Sequence, residues 1–469
     1  MTWLSSLPFP ELTPVGFLIL LIFGPLIFAG FAFLVAKVAL WISRNVVPVI
    51  VSQFVKPEEE KKFLLLTFPA DTGKSAYATQ QLYSLFHSLS RQLGFWESIA
   101  HRKNLYSLEL VSTKKDGIRY VLGISPKYIE IVRNNLLSYL SGIKIAAVDD
   151  YLPDEFQSDV TFKVNELSLS SHFALPLKDV KVLSEHDPIS YLTGHMTKLK
   201  EDEYVAVQMV VTPVLNGFHH DLISEMKKLR KRLYQGKPLT DALQKSSFQK
   251  LVSLPIVSWI WFVVWLCWKF ISITWSITIN MLIAFADTSG KSVPWFQSEQ
   301  VNMQETLNPY EQELATTVKA KIDQPLFESS IRIMVAVKDP VQLSQRMNGI
   351  AAAFGQLDSP YQRLEIQNSW LPFFNKPEQR LESFINRSLS RVDNPIVSTA
   401  ELSDLFHFPY TDTTKTEGMV KSHSKDLPAP LSVKNNGEFD VIFGKNDYGN
   451  SSVDIGLTDD DRSRHVSPK

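Results

Sequence analysis

The stretch Phe68-Pro69-Ala70-Asp71-Thr72-Gly73-Lys74-Ser75 sets a Gly-Lys-Ser triplet between an apolar run and a helical pattern, where phosphate-binding loops lie. Such a loop wraps phosphates with backbone amides and needs its first glycine five positions before the second. That position is Phe68, and Pro69 removes a further donor, so ATP binding is not expected here. The 10 histidines include no HExxH arrangement, and His219 and His220 are adjacent, so their rings diverge on a helix and no metal site follows. The one cysteine, Cys267, excludes an intramolecular disulfide framework and a Cys-based zinc site, and its apolar surroundings disfavour a thiolate. No GxSxG elbow occurs. Asp149-Asp150 and Asp459-Asp460-Asp461 have no partnered base nearby in sequence and read as solvated loops. No catalytic, cofactor or metal constellation emerges, and the chain is expected not to be an enzyme.

Two groups of residues suggest binding instead. Lys227, Lys228, Arg230, Lys231 and Arg232 crowd one predicted helix. They read as a solvated face, or as a contact for anionic lipid head groups or nucleic acid. Lys plus Arg is 48 against 49 Asp plus Glu, so no global field adds to the cluster. The second group is Trp259, Trp261, Trp265, Trp268 and Trp275 in residues 251–286, which carry Lys269 as their one charge. Indole rings prefer the membrane–water interface, so these five are candidate membrane contacts.

The elements around these residues have a readable order. Residues 15–36 are uncharged, and about 20 apolar residues cross a bilayer core, so 15–41 is expected to be a transmembrane helix. Lys37, Arg44, Lys56, Lys61 and Lys62 follow the uncharged run and only Glu11 precedes it, which is expected to place the body on the cytoplasmic side of the cell membrane. Residues 63–68, 106–112, 117–124 and 143–148 read as strands. Two helices alternate with them: one carries Ala78, Leu82, Leu85, Phe86, Leu89 and Leu93 at helical spacing, and the other is opened by Pro126. The order βαββαβ predicts a ferredoxin-like domain over 60–153. A second such unit, within 154–410, is expected to begin with a strand at 204–211 and to continue with a strand at 329–337, a helix and a strand at 363–367. A long insertion splits it. A single crossing by 251–286 would place the strands on either side of it on opposite sides of the bilayer. An in-plane or half-inserted segment is therefore favoured, with a two-crossing hairpin and then a true single span as the alternatives. Residues 1–55 form the anchor segment, and the polar tail, 411–469, reads as extended or disordered. The expected class is thus membrane-anchored α+β with two ferredoxin-like units.

Several segments in order carry a resemblance. They are Leu108-Glu109-Leu110-Val111-Ser112, Tyr120-Val121-Leu122-Gly123-Ile124-Ser125-Pro126-Lys127 and Val148-Asp149-Asp150-Tyr151, then Leu307-Asn308-Pro309-Tyr310-Glu311-Gln312-Glu313 and Ile331-Arg332-Ile333-Met334-Val335-Ala336. Ala351-Ala352-Ala353-Phe354-Gly355-Gln356-Leu357 and Val397-Ser398-Thr399-Ala400-Glu401-Leu402-Ser403-Asp404-Leu405-Phe406-His407-Phe408-Pro409 complete them. Together they resemble the N-terminal region of bacterial conjugative-transfer (type IV secretion) coupling ATPases, over roughly residues 60–466. In that family a segment like Ile455-Gly456-Leu457-Thr458-Asp459-Asp460-Asp461 leads into the phosphate loop, whereas this sequence stops at Val466-Ser467-Pro468-Lys469. The resemblance therefore implies the membrane and accessory half of such a machine without its motor. Its implied partners are membrane lipids, a separate motor ATPase or secretion-channel proteins.

Overall fold

The computed structural model describes residues 60–69, 78–91, 95–100, 102–140, 142–153, 159–178, 188–215, 219–243, 308–367, 376–390, 393–409, 418–422, 439–448 and 451–463, with four isolated helical positions at 43, 47, 50 and 51. The chain divides into two compact units, residues 1–58 with 90–103 and residues 59–89 with 104–469. Within the first, the described helix is Phe95–Ile99, closed by a bond from the Ala100 amide to the Trp96 carbonyl (2.9 Å).

Among the described residues the second unit has twelve strands. They are β1 (Lys62–Pro69), β2 (Tyr106–Thr113), β3 (Gly117–Ile124), β4 (Lys144–Val148), β5 (Thr161–Leu169), β6 (Tyr204–Pro213), β7 (Leu326–Val337), β8 (Leu364–Ile366), β9 (Ile396–Ser398), β10 (Lys421–Ser422), β11 (Val441–Tyr448) and β12 (Ser451–Leu457). The helices that matter below are α1 (Ala78–Ser90), α2 (Ile129–Tyr139), α3 (Pro188–Gly194), α4 (His220–Tyr234), α5 (Thr240–Leu243), α6 (Pro309–Ile322), α7 (Pro340–Ala353), α8 (Pro377–Ile385), α9 (Thr399–Leu405) and α10 (Asp459–Ser463).

Ten strands form one sheet. Its antiparallel path runs β4-β1-β3-β2-β6-β7-β5-β8, and β9 extends the β5 side of β7. The short β10 runs parallel to the end of β1, and Met419 bridges to Ile118 of β3. Gly117 opens β3 with φ +67°, and a Cβ there would lie 2.4 Å from the Gly418 carbonyl oxygen, so the approach of this last strand requires glycine. The first four strands and the next four are joined through β2 and β6, paired from Tyr106↔Val211 to Thr113↔Tyr204. Both are buried along nearly their whole length because each has a sheet neighbour on both sides and cover on both faces.

One face of the sheet carries the main core. Leu82, Tyr83 and Phe86 of α1, Val132 and Leu136 of α2, Val318 and Ile322 of α6, and Met347 and Ile350 of α7 are buried against Leu108, Val207, Ile331 and Ile333. Burial of each such side chain contributes roughly 1.5–3 kcal/mol. Helix starts are fixed chemically: Asn308 accepts from the Glu311 amide (2.8 Å) with Pro309 at the first position, and Asp339 caps the next helix in the same way. The opposite face has a much smaller apolar set: Val111, Val121, Val164, Ala206, Met334 and Phe384.

These observations correct several expectations. The two ferredoxin-like units are not set apart, since β2 and β6 fuse their strands into one large antiparallel sheet. The second half begins earlier than Tyr204, with β5, a strand the sequence reading passed over, which pairs with both β7 and β8. The tail, read as extended or disordered, holds among its described residues a two-stranded hairpin, β11 with β12. Residues 15–41 and 251–286 lie outside the described residues. Among the described residues no helix is long and apolar enough to cross a membrane. The longest, α4, has 15 residues. At 1.5 Å per residue it reaches about 22 Å, short of a hydrocarbon core of about 30 Å. The expected membrane-anchored class and cell-membrane location are thereby overturned in favour of an α+β protein with a large antiparallel sheet.

Candidate functional site

Glu109, Gln208, Arg332 and Glu166 project from four neighbouring strands onto the less apolar face. The register sets them in one row: Glu109 faces Gln208, Gln208 faces Arg332, and Arg332 faces Glu166. Each belongs to a strand in which polar and apolar residues alternate, as in Leu108-Glu109-Leu110 and Ile331-Arg332-Ile333. Period two would leave such residues in solvent on a two-layer fold. Here all four are buried, Glu109, Gln208 and Arg332 at 0% exposure.

They are linked by hydrogen bonds from one end of the row to the other. Gln208 Nε2 donates to Glu109 Oε1 (3.2 Å), Arg332 Nη1 donates to Gln208 Oε1 (3.2 Å), and Arg332 Nε donates to Glu166 Oε1 (2.7 Å). The cover is residues 376–390, α8 and the turn after it. From this strap the Phe384 carbonyl accepts from Gln208 (3.0 Å), and the Ser383 and Ser388 carbonyls accept from Arg332 (3.2 and 2.6 Å). Ser390 Oγ donates to Glu166 Oε2 (2.9 Å). Arg387 turns down into the face, donating through Nε to Glu109 (3.2 Å) and through both terminal nitrogens to Asp150. Its guanidinium also stacks over the Phe63 ring at 4.5 Å. Lys61 Nζ donates to the Arg387 carbonyl (2.6 Å).

The two arginines differ electrostatically. Burial would lower the proton affinity of Arg387, but Glu109, Asp150 and Tyr151 outweigh it and the net shift is upward. For Arg332 burial dominates, the pull of Glu166 does not fully compensate, and the shift is downward. Tyr151 is raised well above its usual value, first by burial and then by the charge of Glu109. Among the described residues, Glu109 Oε2 and Arg332 Nη2 are buried with no hydrogen-bond partner. Apart from these two atoms the row is a paired, closed ionic network. It offers a set of fixed charges, not an exposed acid, base or nucleophile.

The residues singled out from sequence are scattered. Lys227, Lys228, Arg230 and Lys231 are exposed on α4 and Arg232 is half-buried. Arg230 is engaged, donating to the Ile322 carbonyl (2.6 Å) and lying 3.6 Å from Asp323. Trp259, Trp261, Trp265, Trp268, Trp275 and Cys267 lie outside the described residues, as does the Gly-Lys-Ser triplet beyond Pro69. His219 and His220 do diverge: His219 Nε2 is 2.8 Å from Glu328 Oε2, and its Nδ1 accepts from the Leu215 amide (3.3 Å), while His220 is exposed. Among the described residues no group of His, Cys, Asp or Glu could hold a metal ion. Asp150, read from sequence as a solvated loop residue, is exposed just after β4 and also clamps Arg387. The network was missed because its members are far apart in sequence; the one available signal was a charge enclosed by apolar neighbours in a strand.

No curated protein matches the chain. Residues 51–420 match a family described as a domain of unknown function (DUF8128), and with well over half of its length covered the chain belongs to that family.

Proposed function

We propose that this chain is a non-enzymatic scaffold acting beside a separate motor ATPase, the role implied by its resemblance to the accessory half of conjugative-transfer coupling ATPases. The observation that carries the reading is the β11–β12 hairpin. It forms its own two-stranded sheet and exposes Val441, Ile442 and Phe443 at 44%, 56% and 63%. An isolated hairpin is marginal in water and gains stability when another surface covers its apolar side chains. The network on the main sheet supports the same reading, since its charges are spent on one another and leave none poised for chemistry.

The test is co-purification with a separately expressed motor ATPase, using wild type and an Ile442→Asp/Phe443→Asp variant. Each buried side chain is worth roughly 1.5–3 kcal/mol, so the variant is expected to weaken association at least about tenfold with an unchanged melting temperature. Undiminished association of the variant, or the absence of any associated ATPase, would sink the proposal.

A second reading, a nucleic-acid-binding module, is favoured by one arrangement. Lys227, Lys231 and Tyr234 recur at helical spacing on one flank of α4, and Tyr234 is 81% exposed. Beside them Lys319 of α6 lines a groove of about 160 Å³ with Tyr234 and Arg230. Cations along a groove with a stackable ring suit a single strand. Fluorescence anisotropy with labelled single-stranded DNA should show affinity that falls steeply with salt, and Lys227→Glu/Lys231→Glu should flatten that slope. No binding at low salt would end this reading.

A further inference from the structure

We infer that residues 376–390 form a displaceable latch: a strap held shut over the charged row mainly by Arg387, whose open state is a second native arrangement of this protein. Four observations carry this. First, the strap is fastened by few apolar anchors. Phe384 is its one fully buried large side chain, with Leu381 half-buried beside it, against the extensive core on the other face. Second, beside the bonds its carbonyls accept from Gln208 and Arg332 and the one Ser390 donates to Glu166, its polar fasteners come from dispersed points at the sheet margin: Asp150 just after β4, Lys61 just before β1, and the Gln367 carbonyl, which accepts from Arg380 (3.3 Å).

Third, the closed state carries its own costs. Arg387 sits at φ +47°, in the left-handed region that side chains other than glycine rarely adopt. Glu109 Oε2 and Arg332 Nη2 are buried beneath the strap without hydrogen-bond partners. Opening relieves the backbone strain and lets water reach both atoms. Fourth, the row does not depend on the strap for all its pairing. Glu166–Arg332, Arg332–Gln208 and Gln208–Glu109 are bonds between sheet residues, so they persist when the strap lifts. A lid whose closed form is strained, and whose base stays paired without it, opens at less cost than the sheet beneath it.

Arg387 is the fastening point because it is gripped at both ends. Its side chain is shared between Glu109 and Asp150, and its carbonyl is held by Lys61. Asp150 is 37% exposed at its side chain, so this half of the clamp can be weakened from solvent without disturbing the core.

Hydrogen–deuterium exchange on the full chain reads the latch directly. In Asp150→Asn, amides within 376–390 should exchange about tenfold or more faster than in wild type. Those of β6 and β7 should be unchanged, because the ladder beneath stays intact. Arg387→Ala should do the same more strongly, and Arg387→Lys, which keeps one charge but loses the fork, should fall between. Two results would overturn the inference. One is strap exchange that does not respond to Asp150→Asn. The other is acceleration of β6 and β7 in step with the strap, which would make the segment a fixed part of the core that opens only on global unfolding. Because Asp150→Asn leaves Arg387 paired with Glu109, that variant is expected to fold even if Arg387→Ala does not.

Discussion

Replacing Arg332 with alanine is expected to destabilise the protein by about 3–5 kcal/mol, the cost of breaking a buried ion pair by removing one partner. The reason is what remains. Glu166 would keep the hydrogen bond from Ser390 but lose the guanidinium 2.7 Å away, and it is itself almost wholly buried. The Ser383, Ser388 and Gln208 oxygens would lose their donor as well. Removing both charges, Glu166→Met with Arg332→Met, should recover most of the loss, because paired buried charges return little net free energy over apolar residues of similar volume. Chemical denaturation of the two variants, followed by circular dichroism, separates the cases. A single variant within about 1 kcal/mol of wild type would show that the row is hydrated and its pairing dispensable.

Glu401→Ala is expected to cost about 3–5 kcal/mol for a different combination of losses. Glu401 pairs with Lys321 at 3.0 Å, and both side chains are almost fully buried. It also accepts from the Leu177 amide (2.7 Å) and, through its other oxygen, from the Ser398 amide (2.7 Å), completing a capping box on α9. Alanine leaves a buried cation without its counter-charge and two amides without acceptors. Glu401→Gln keeps one carbonyl oxygen and removes the charge, so its loss should be smaller. Lys321→Met tests the pair from the other side, and there the Leu175 carbonyl, which accepts from Lys321 (3.2 Å), loses its donor. Equal melting temperatures for Glu401→Ala and Glu401→Gln would show that the charge, not the capping geometry, is what matters.

The contrast between strands explains what could be read before the structure. β1, β2 and β3 were legible because an apolar pattern and a turn glycine lie within a few residues of one another, and Gly117 marks the hairpin directly. β5 was not, because Thr161-Phe162-Lys163-Val164-Asn165-Glu166 looks polar until α8 is known to cover its face. Its pairing with β7 joins Glu166 to Arg332 across a sequence distance that no local pattern reports. The candidate site failed to appear for the same reason. Each charge in it obeys the alternation of a half-exposed strand, and only the strap turns that exposed face into an interior. The basic cluster on α4 was legible as a cluster, yet the sequence could not say that Arg230 would be drawn aside to Ile322 and Asp323. The adjacent histidines do diverge, though only His220 lies on α4 and His219 precedes it as the N-cap.

The seam between β2 and β6 has a consequence for synthesis. Chain order delivers β1 to β4 first, and they can pair among themselves while β2 still presents an uncovered edge of backbone donors and acceptors. That edge is closed only when β6 arrives, and β6 in turn waits for β7, which follows α4, α5 and α6 in the chain. Open edges on part-made sheets are where chains pair wrongly with one another. During translation the nascent protein therefore passes through a stage in which its most buried strands are its most adhesive ones. The order of the genetic message, as much as the final packing, sets how long that stage lasts.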